Sequence, residues 1–324
     1  MSVYLVTGVA GFIASRVAEM LLAAGHEVVG IDNLNDAYDR RLKEYRLRRL
    51  EGQTGFTFQP LDVTDKEAVL ALGAAQRFDA VFNLAARAGV RASVENPWVY
   101  IETNTTGALN LLEMCRRSGV PKFIQASTSS LYGEGNAVPY QEDAPTDRVL
   151  SPYAASKKAA EALCYTYHRL YRLDVTVFRY FTVYGPAGRP DMAPFRFIQW
   201  IAEGRPLRLF GDGSQSRDFT YVDDIARGTV LGLKPLGYEI INLGNDRPYT
   251  VRELIALIEE ALGRKAHIVH EPRHPADVET TWASIEKAER LLGWRPEVGL
   301  PEGIRRTVAW YLQEREWAAQ VVTG

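Results

Sequence analysis

Short apolar runs alternate with amphipathic segments through the first half of the chain. Val3 to Val6, Glu27 to Ile31, Phe56 to Phe58, Ala80 to Leu84, Phe123 to Ala126 and Val175 to Phe178 have the length and the branched or aromatic content of strands. Helical patterns lie between them, beginning with Phe12 to Ala24. Strand, helix and strand repeated in this way predict a parallel sheet covered on both faces, with right-handed crossovers. The expected fold class is α/β, a doubly wound Rossmann-type sheet. After about Tyr184 the rhythm breaks into a stretch punctuated by Gly and Pro (GPAGRPDMAP, then GDGSQSRDF), and helices are predicted at Val222 to Leu233, Val251 to Leu262, Ser284 to Leu292 and Pro301 to Gln313. A smaller mixed, α-rich C-terminal lobe closing over the strand ends fits this pattern. The division expected is 1–183 with 219–247 for the sheet domain, and 184–218 with 248–324 for the smaller one. No internal repeat is apparent, which argues against a solenoid.

Composition narrows the class. At 324 residues, 46% hydrophobic and 24% charged, the chain suits about two globular units. No apolar run approaches the roughly 18 residues of a bilayer span, and MSVYLVTG has no basic region ahead of its short apolar stretch. Neither a membrane span nor an export signal is expected. Cys115 and Cys164 are too few to staple a chain of this size, so free thiols in a reducing compartment, the cytoplasm, are the expectation, with Cys164 serving packing. Net charge is −2, and the one dense basic stretch, Arg40 to Arg49 with six Lys or Arg, reads as the wet face of a helix and not as a nucleic-acid footprint.

Candidate chemistry begins directly after the first strand, in TGVAGFIA. Gly8, Gly11 and Ala14 stand at three-residue spacing and lead into a helix that Phe12 and Ile13 open. Glycine permits a tight turn and close approach to a pyrophosphate, whose charge meets the open N–H groups at the helix N-terminus. Asp32, followed by Asn33, ends the second strand 24 residues after Gly8. A carboxylate there accepts both adenosine ribose hydroxyls and repels a 2′-phosphate, which predicts NAD and not NADP. Asp62 and Val63, after the third strand, either reach the adenine edge or, with Asp65, cap the next helix.

A second cluster lies further on. SPYAASKKA carries Tyr153 and Lys157 at i and i+4, on one face of a helix that Pro152 starts. A tyrosine serves as a base only if its pKa falls from about 10 toward 7, worth roughly 4 kcal/mol. A neighbouring ammonium and a positive nicotinamide ring supply that kind of stabilisation. Ser127, Thr128, Ser129 and Ser130 stand at the end of the fifth strand, where ligands sit in such sheets, with Thr128 25 residues before Tyr153. The same cluster also suits a cap or turn.

These residues together resemble the extended short-chain dehydrogenase/reductase family: TGVAGFIA, Asp32, Asp62, NLAA at Asn83 to Ala86, the Ser/Thr run before LYG, and YAASK. The resemblance spans essentially the whole chain, because RYFTVYGP (Arg179 to Pro186), GDGSQSRDFTYVDD (Gly211 to Asp224) and the late GWRP are similar to that family's nucleotide-sugar branch. Ala14 departs from the usual glycine. The resemblance implies NAD held by Gly8, Gly11, Phe12, Ile13, Asp32 and Asn33, then by Asp62, Val63, Leu84, Ala85 and Ala86, and by Tyr153 and Lys157. Asn104 resembles a cofactor-side asparagine, with helix N-capping as its alternative.

The family resemblance also implies transient oxidation at C4 of a nucleotide-linked hexose. Tyr153 would remove the hydroxyl proton, Thr128 would bond the same oxygen, and hydride would pass to NAD. Related dehydratases follow their threonine with Asp-Glu, and related decarboxylases place a glutamate where this chain has Ser130. Ser129 and Ser130 lack that acid and base, so epimerisation is the chemistry expected. Galactose-type epimerases read RYFN where this chain has Thr182, whereas AGVRAS (Ala88 to Ser93) and TVYGPAGRPDMAPF (Thr182 to Phe195) are similar to the UDP-glucuronate 4-epimerases. In that reading Arg189 clamps the sugar carboxylate, with Thr182, Ser129 and Ser130 beside it and Arg91 shaping the loop. Held so, the carboxylate is kept out of the orientation from which a β-keto acid loses CO₂.

Arg217 resembles the arginine that holds the diphosphate and Asp277 the ribose-facing acid; Arg273 or His274 would add a phosphate contact, and the role of His274 stays open. His267, His270 and His274 are spaced for a metal, but in a segment part strand and part loop, and no metal is expected. The implied partners are a UDP-sugar, UDP-glucuronate or UDP-galacturonate, and a second copy of the chain through helices near Val99 to Arg117 and Tyr153 to Tyr171. The alternatives are a UDP-galactose or UDP-N-acetylhexosamine 4-epimerase, a UDP-glucuronate decarboxylase, and a catalytically silent NAD sensor.

Overall fold

The computed structural model describes residues 1–272 and 278–323. Twelve strands appear among them: β1 Val3–Thr7, β2 Glu27–Asp32, β3 Phe56–Pro60, β4 Ala80–Asn83, β5 Lys122–Thr128, β6 Asp174–Tyr180, β7 Thr182–Tyr184, β8 Leu207–Phe210, β9 Ser216–Tyr221, β10 Tyr238–Leu243, β11 Pro248–Thr250 and β12 Ile268–Glu271. The helices are α1 Phe12–Ala23, α2 Arg40–Leu50, α3 Lys66–Ala75, α4 Val90–Glu95, α5 Trp98–Tyr100, α6 Gly107–Ser118, α7 Pro152–Tyr171, α8 Ala193–Ala202, α9 Val222–Leu231, α10 Val251–Leu262, α11 Glu286–Leu292, α12 Leu300–Gln313 and α13 Arg315–Ala318.

Seven parallel strands pair in the order β10-β6-β5-β4-β1-β2-β3. Alternation of side chains along each strand explains why the runs are apolar throughout. Val6, Phe82 and Ile124 face Val17, Leu21 and Ile225 of α1 and α9, while Leu5, Val81 and Phe123 face Leu111, Met114 and Cys164 of α6 and α7. Cys115 and Cys164 are buried free thiols. Strand order reverses between β1 and β4, which opens a crevice at the carboxyl ends of those strands.

The rest of the chain builds a mixed lobe. A three-stranded sheet, β11-β9-β7, and the pair β12-β8 pack with α8, α10 and α12 around Phe195, Ile198, Ile255 and Tyr311. Helix α10 is bounded by a capping box between Thr250 and Glu253 and by Gly263 at φ 63°. No described helix is long and apolar enough to cross a membrane.

One sequence expectation is corrected here. Helix α2 forms as predicted, but Lys43 and Arg46 are buried within it, at 5% and 2% exposure. Leu42, Leu47 and Leu50 define its inward face, and the 3.6-residue period carries Lys43 and Arg46 onto that face with them.

Candidate active site

At the reversal point β1 runs into Gly8, which takes φ +66°, and a Cβ there would stand 2.7 Å from the Ala85 Cα. Only glycine meets both demands. The Gly11 N–H donates to the Gly8 carbonyl at 2.7 Å and Gly11 opens α1 without a side-chain cap. Gly11, Phe12 and Ile13 thereby line a cavity of about 320 Å³ together with Leu84, Ala86, Thr128, Tyr153 and Lys157. Ala14 is buried, its methyl taken into the core.

Asp32 ends β2 nearly buried; its carboxylate accepts from the Ala10 N–H at 3.2 Å and the Leu34 N–H at 2.8 Å, and Lys43 Nζ stands 3.8 Å away. Asn33 donates to Asp62 at 2.6 Å, and Asp62 also accepts from the N–H and hydroxyl of Thr64. Burial raises the Asp62 carboxyl, but these bonds outweigh it and hold the group below its ordinary range. The cap of α3 is Asp65, which accepts from the Ala68 N–H at 3.0 Å, so Asp62 is left to its turn and to Asn33. Val63 packs against Gly107, and its carbonyl accepts from Asn110.

Thr128 ends β5, and its hydroxyl accepts from the Ser130 N–H at 3.2 Å, which starts the short helical turn Ser129–Tyr132. That turn brings Ser129 and Ser130 into the cavity. Ser151 caps α7, accepting from the Ala154 N–H at 3.2 Å, and Pro152 sits in its first turn. Tyr153 and Lys157 follow one turn apart. Lys157 Nζ donates to the Ala126 carbonyl at 3.0 Å, and burial lowers its pKa to about 8. Burial pushes the Tyr153 phenol up, opposed by the Thr128 hydroxyl and the charge of Arg189.

Behind this strand end lies a buried ion pair that the sequence reading missed. Arg179 donates to both oxygens of Glu161 at 3.0 and 2.9 Å, Ser127 donates to the same carboxylate at 2.6 Å, and the two charged side chains are 2% and 3% exposed. The available signal was Arg179 next to the apolar run Val175 to Phe178 of β6; nothing in the pattern of α7 singles out Glu161.

The second cavity, about 520 Å³, adjoins the first through Ser129, Ser130 and Thr182 and is lined by Arg91, Arg217 and Phe210. Arg91 stacks over the Phe210 ring at 4.3 Å from its centre, joining α4 to β8. Arg217 donates to the carbonyls of Ser216 and Glu279 at 2.7 and 3.2 Å. Arg189 lies in the first cavity beside Tyr153. Its Nε donates to Asp191 Oδ1 at 3.0 Å, while Nη2 donates to Asp191 Oδ2 and, at 3.1 Å, to the Ala88 carbonyl. Nη1 makes none of these bonds. Asp191, absent from the sequence reading, thus holds the guanidinium in a fork.

Asn104 does not cap a helix. It sits in a π-helical turn, Ile101–Thr106, where its amide accepts from the Arg87 N–H and donates to the Arg87 carbonyl and to Ser156 Oγ, each at 2.9 Å. It ties the segment after β4 to α7, one residue before Lys157. Arg273, His274 and Asp277 lie outside the described residues. His270 Nδ1 is 2.9 Å from the Gly211 carbonyl, and no described group of His, Cys, Asp or Glu converges as a metal site.

Over 311 residues, 96% of each chain, the sequence is 56% identical to a UDP-glucuronate 4-epimerase of Thermodesulfobacterium geofontis. Its fold is similar to that of UDP-glucuronic acid 4-epimerase from Bacillus cereus in complex with UDP-glucuronic acid and NAD, at a TM-score of 0.90 and 37% identity, covering 96% of this chain and 99% of that one. It is similar as well to UDP-glucose 4-epimerase of Thermotoga maritima with UDP-glucose, at 0.90 and 34%, covering 97% and 99%. A family model matches residues 4–244, and with the glycine turn, the buried acid at the end of β2 and the tyrosine-lysine helix already in place, the chain belongs to the NAD dependent epimerase/dehydratase family.

Proposed function

We propose that this protein is an NAD-dependent 4-epimerase that interconverts UDP-glucuronate and UDP-galacturonate through a transient 4-keto sugar. The observation that carries the reading is the convergence of Thr128, Ser129, Ser130, Tyr153, Thr182 and Arg189 on one cavity with no carboxylate from the Ser129–Ser130 pair. NAD suits the first cavity because Gly11, Phe12 and Ile13 present a helix N-terminus there and Asp32 lies nearly buried behind the loop. When bound, NAD accepts hydride from C4 and gives it back.

The chain's own residues do the rest. Tyr153 takes the C4 hydroxyl proton and later returns one; Thr128 bonds the same oxygen. Lys157, fixed on the Ala126 carbonyl, sets its positive charge one helical turn from the phenol. Ser129, Ser130 and Thr182 offer hydroxyls to the sugar carboxylate, and Arg189 offers Nη1 while Asp191 fixes its other edge. Holding that carboxylate protects the β-keto acid from loss of CO₂. Arg217 serves the diphosphate, with Arg273 or His274 as a further phosphate contact, Asp277 faces the ribose, and Arg91 shapes the loop of the sugar pocket. Residues 1–183 with 219–247 carry NAD, and 184–218 with 248–324 carry the UDP-sugar.

A homodimer through α6 and α7 and a cytoplasmic location belong to the same reading. Leu109 on α6 and Tyr165, Leu170 and Tyr171 on α7 are exposed apolar side chains on the helices concerned. Sedimentation equilibrium checks the dimer.

One observation favours a neutral sugar: Asp191 already balances the charge of Arg189. Incubation with UDP-glucuronate and with UDP-glucose, followed by NMR of the products, separates the readings. UDP-galacturonate from the first substrate supports the proposal; turnover of UDP-glucose alone, or accumulation of a UDP-pentose, would sink it.

A further inference from the structure

Arg46 is a deeply buried charge beside the first cavity that the mechanism does not use and that, unlike Arg179, has no carboxylate paired with it among the described residues. It is 2% exposed. Burying a cation is costly unless hydrogen bonds and an anion offset the loss of water. The hydrogen bonds are present. Nη1 donates to the Ala10 carbonyl at 3.2 Å and to the Tyr38 hydroxyl at 2.7 Å. Nε and Nη2 both donate to the Ala187 carbonyl, at 3.0 and 2.7 Å, and Nη2 reaches the Gly188 carbonyl at 3.2 Å. The guanidinium lies over the rings of Phe12 and Tyr38, at 5.6 and 5.5 Å from their centres.

These acceptors come from three loops that surround the cavity. Ala10 belongs to the glycine turn, and its N–H is bonded to Asp32, so its peptide groups are held from both sides. Tyr38 lines the cavity from the loop after β2. Ala187 is a non-glycine residue at φ +53°, a conformation that side chains disfavour, and it stands two residues before Arg189. The bidentate grip of Arg46 on its carbonyl is the contact that stabilises that turn, with the Gly188 N–H to Gly185 bond beside it.

We infer that Arg46 is a positioning residue with two tasks: its charge, held behind the glycine turn, complements the diphosphate of the dinucleotide, and its fork fixes the loop that carries Arg189. The inference rests on the reading of the first cavity as the NAD site. The anion missing from the Arg46 environment is the one that the N-terminus of α1 is also shaped to receive. Lysine at this position keeps a charge but cannot span Ala10 and Ala187 together.

The test uses purified holoenzyme challenged with ADP or with adenosine, reading displaced NAD. Both probes share the adenosine pocket, so the ratio of their half-displacement concentrations cancels general loosening of the fold. Arg46→Gln is expected to cut the preference for ADP by about tenfold and Arg46→Lys to preserve it. An unchanged ratio in Arg46→Gln would overturn the electrostatic task. Arg46→Lys is expected to lower kcat/KM for UDP-glucuronate by about tenfold, the equivalent of one hydrogen bond, and wild-type turnover would overturn the loop task. If Arg46→Gln does not fold, the salt dependence of ADP displacement in the wild type against Arg46→Lys decides: similar slopes support the charge, a flat wild-type slope overturns it. Failure of ADP to displace NAD from the wild type would instead remove the reading of the cavity itself.

Discussion

The two cavities meet at Ser129, Ser130 and Thr182 but are built differently. The cofactor side takes most of its shape from single strand ends: Gly8 after β1, Asp32 closing β2, Thr128 closing β5, and Tyr153 and Lys157 one turn apart on α7. The sugar side takes its shape from contacts between distant segments, with Arg91 of α4 stacked on Phe210 of β8 and Arg189 bonded to Ala88. Chemistry that the whole family shares can sit on local spacing, while the choice of sugar depends on loops that the fold brings together.

The comparison breaks most sharply at Tyr153. Tyr153→Phe removes the proposed proton acceptor and is expected to lower kcat by about 10³-fold with any sugar accepted, measured by coupled assay or NMR. Turnover within tenfold of wild type would end the assignment.

Next in size is Asp218, which anchors the sugar side from β9. It is fully buried and accepts from the N–H groups of Asn245 and Ala283 and from the Thr220 hydroxyl. Burial raises its pKa from 3.8 to about 6, so folding favours the neutral acid. The folded state bears no such cost below the unfolded pKa and the whole of it above about pH 6, on the order of 3 kcal/mol. Urea denaturation of wild type and Asp218→Asn at pH 4 and 7 should show the gap moving toward the variant by about that amount as pH rises. A gap independent of pH would show that the carboxylate is well accommodated.

Arg189→Ala tests the sugar side alone. Loss of one charge-assisted contact predicts a fall in kcat/KM for UDP-glucuronate of about 10- to 150-fold, with NAD content unchanged. Equal loss of NAD would place Arg189 with the cofactor instead. The smallest effect belongs to the cap of α10, whose first residue, Val251, borders the second cavity: Thr250→Ala should cost about 1 kcal/mol in urea and change kcat/KM by no more than a few-fold.

Much of the cofactor side was legible because its signals are short-ranged. A glycine that needs positive φ, an acid at a strand end and an i, i+4 pair are each written in a few neighbouring residues. Lys43 and Arg46 were misread for the converse reason: a basic helix face looks solvated until another element covers it. Asn104 resembles a cofactor-side asparagine, and capping stood as its alternative because the π-helical turn that aims it at Arg87 and Ser156 leaves no mark in the pattern.

What the chain's sequence determined by itself was the order of the first six strands and the helices between them, the phosphate turn and the tyrosine-lysine spacing, since period and glycine placement act through local backbone geometry; β7 to β12 were not read from it. The tertiary structure alone decided which charges are buried and what holds them: Glu161 with Arg179, Asp191 with Arg189, and Arg46 among three loops. A charge's partner is set by three-dimensional proximity and by the removal of water, and neither is encoded in the distance between residues along the chain.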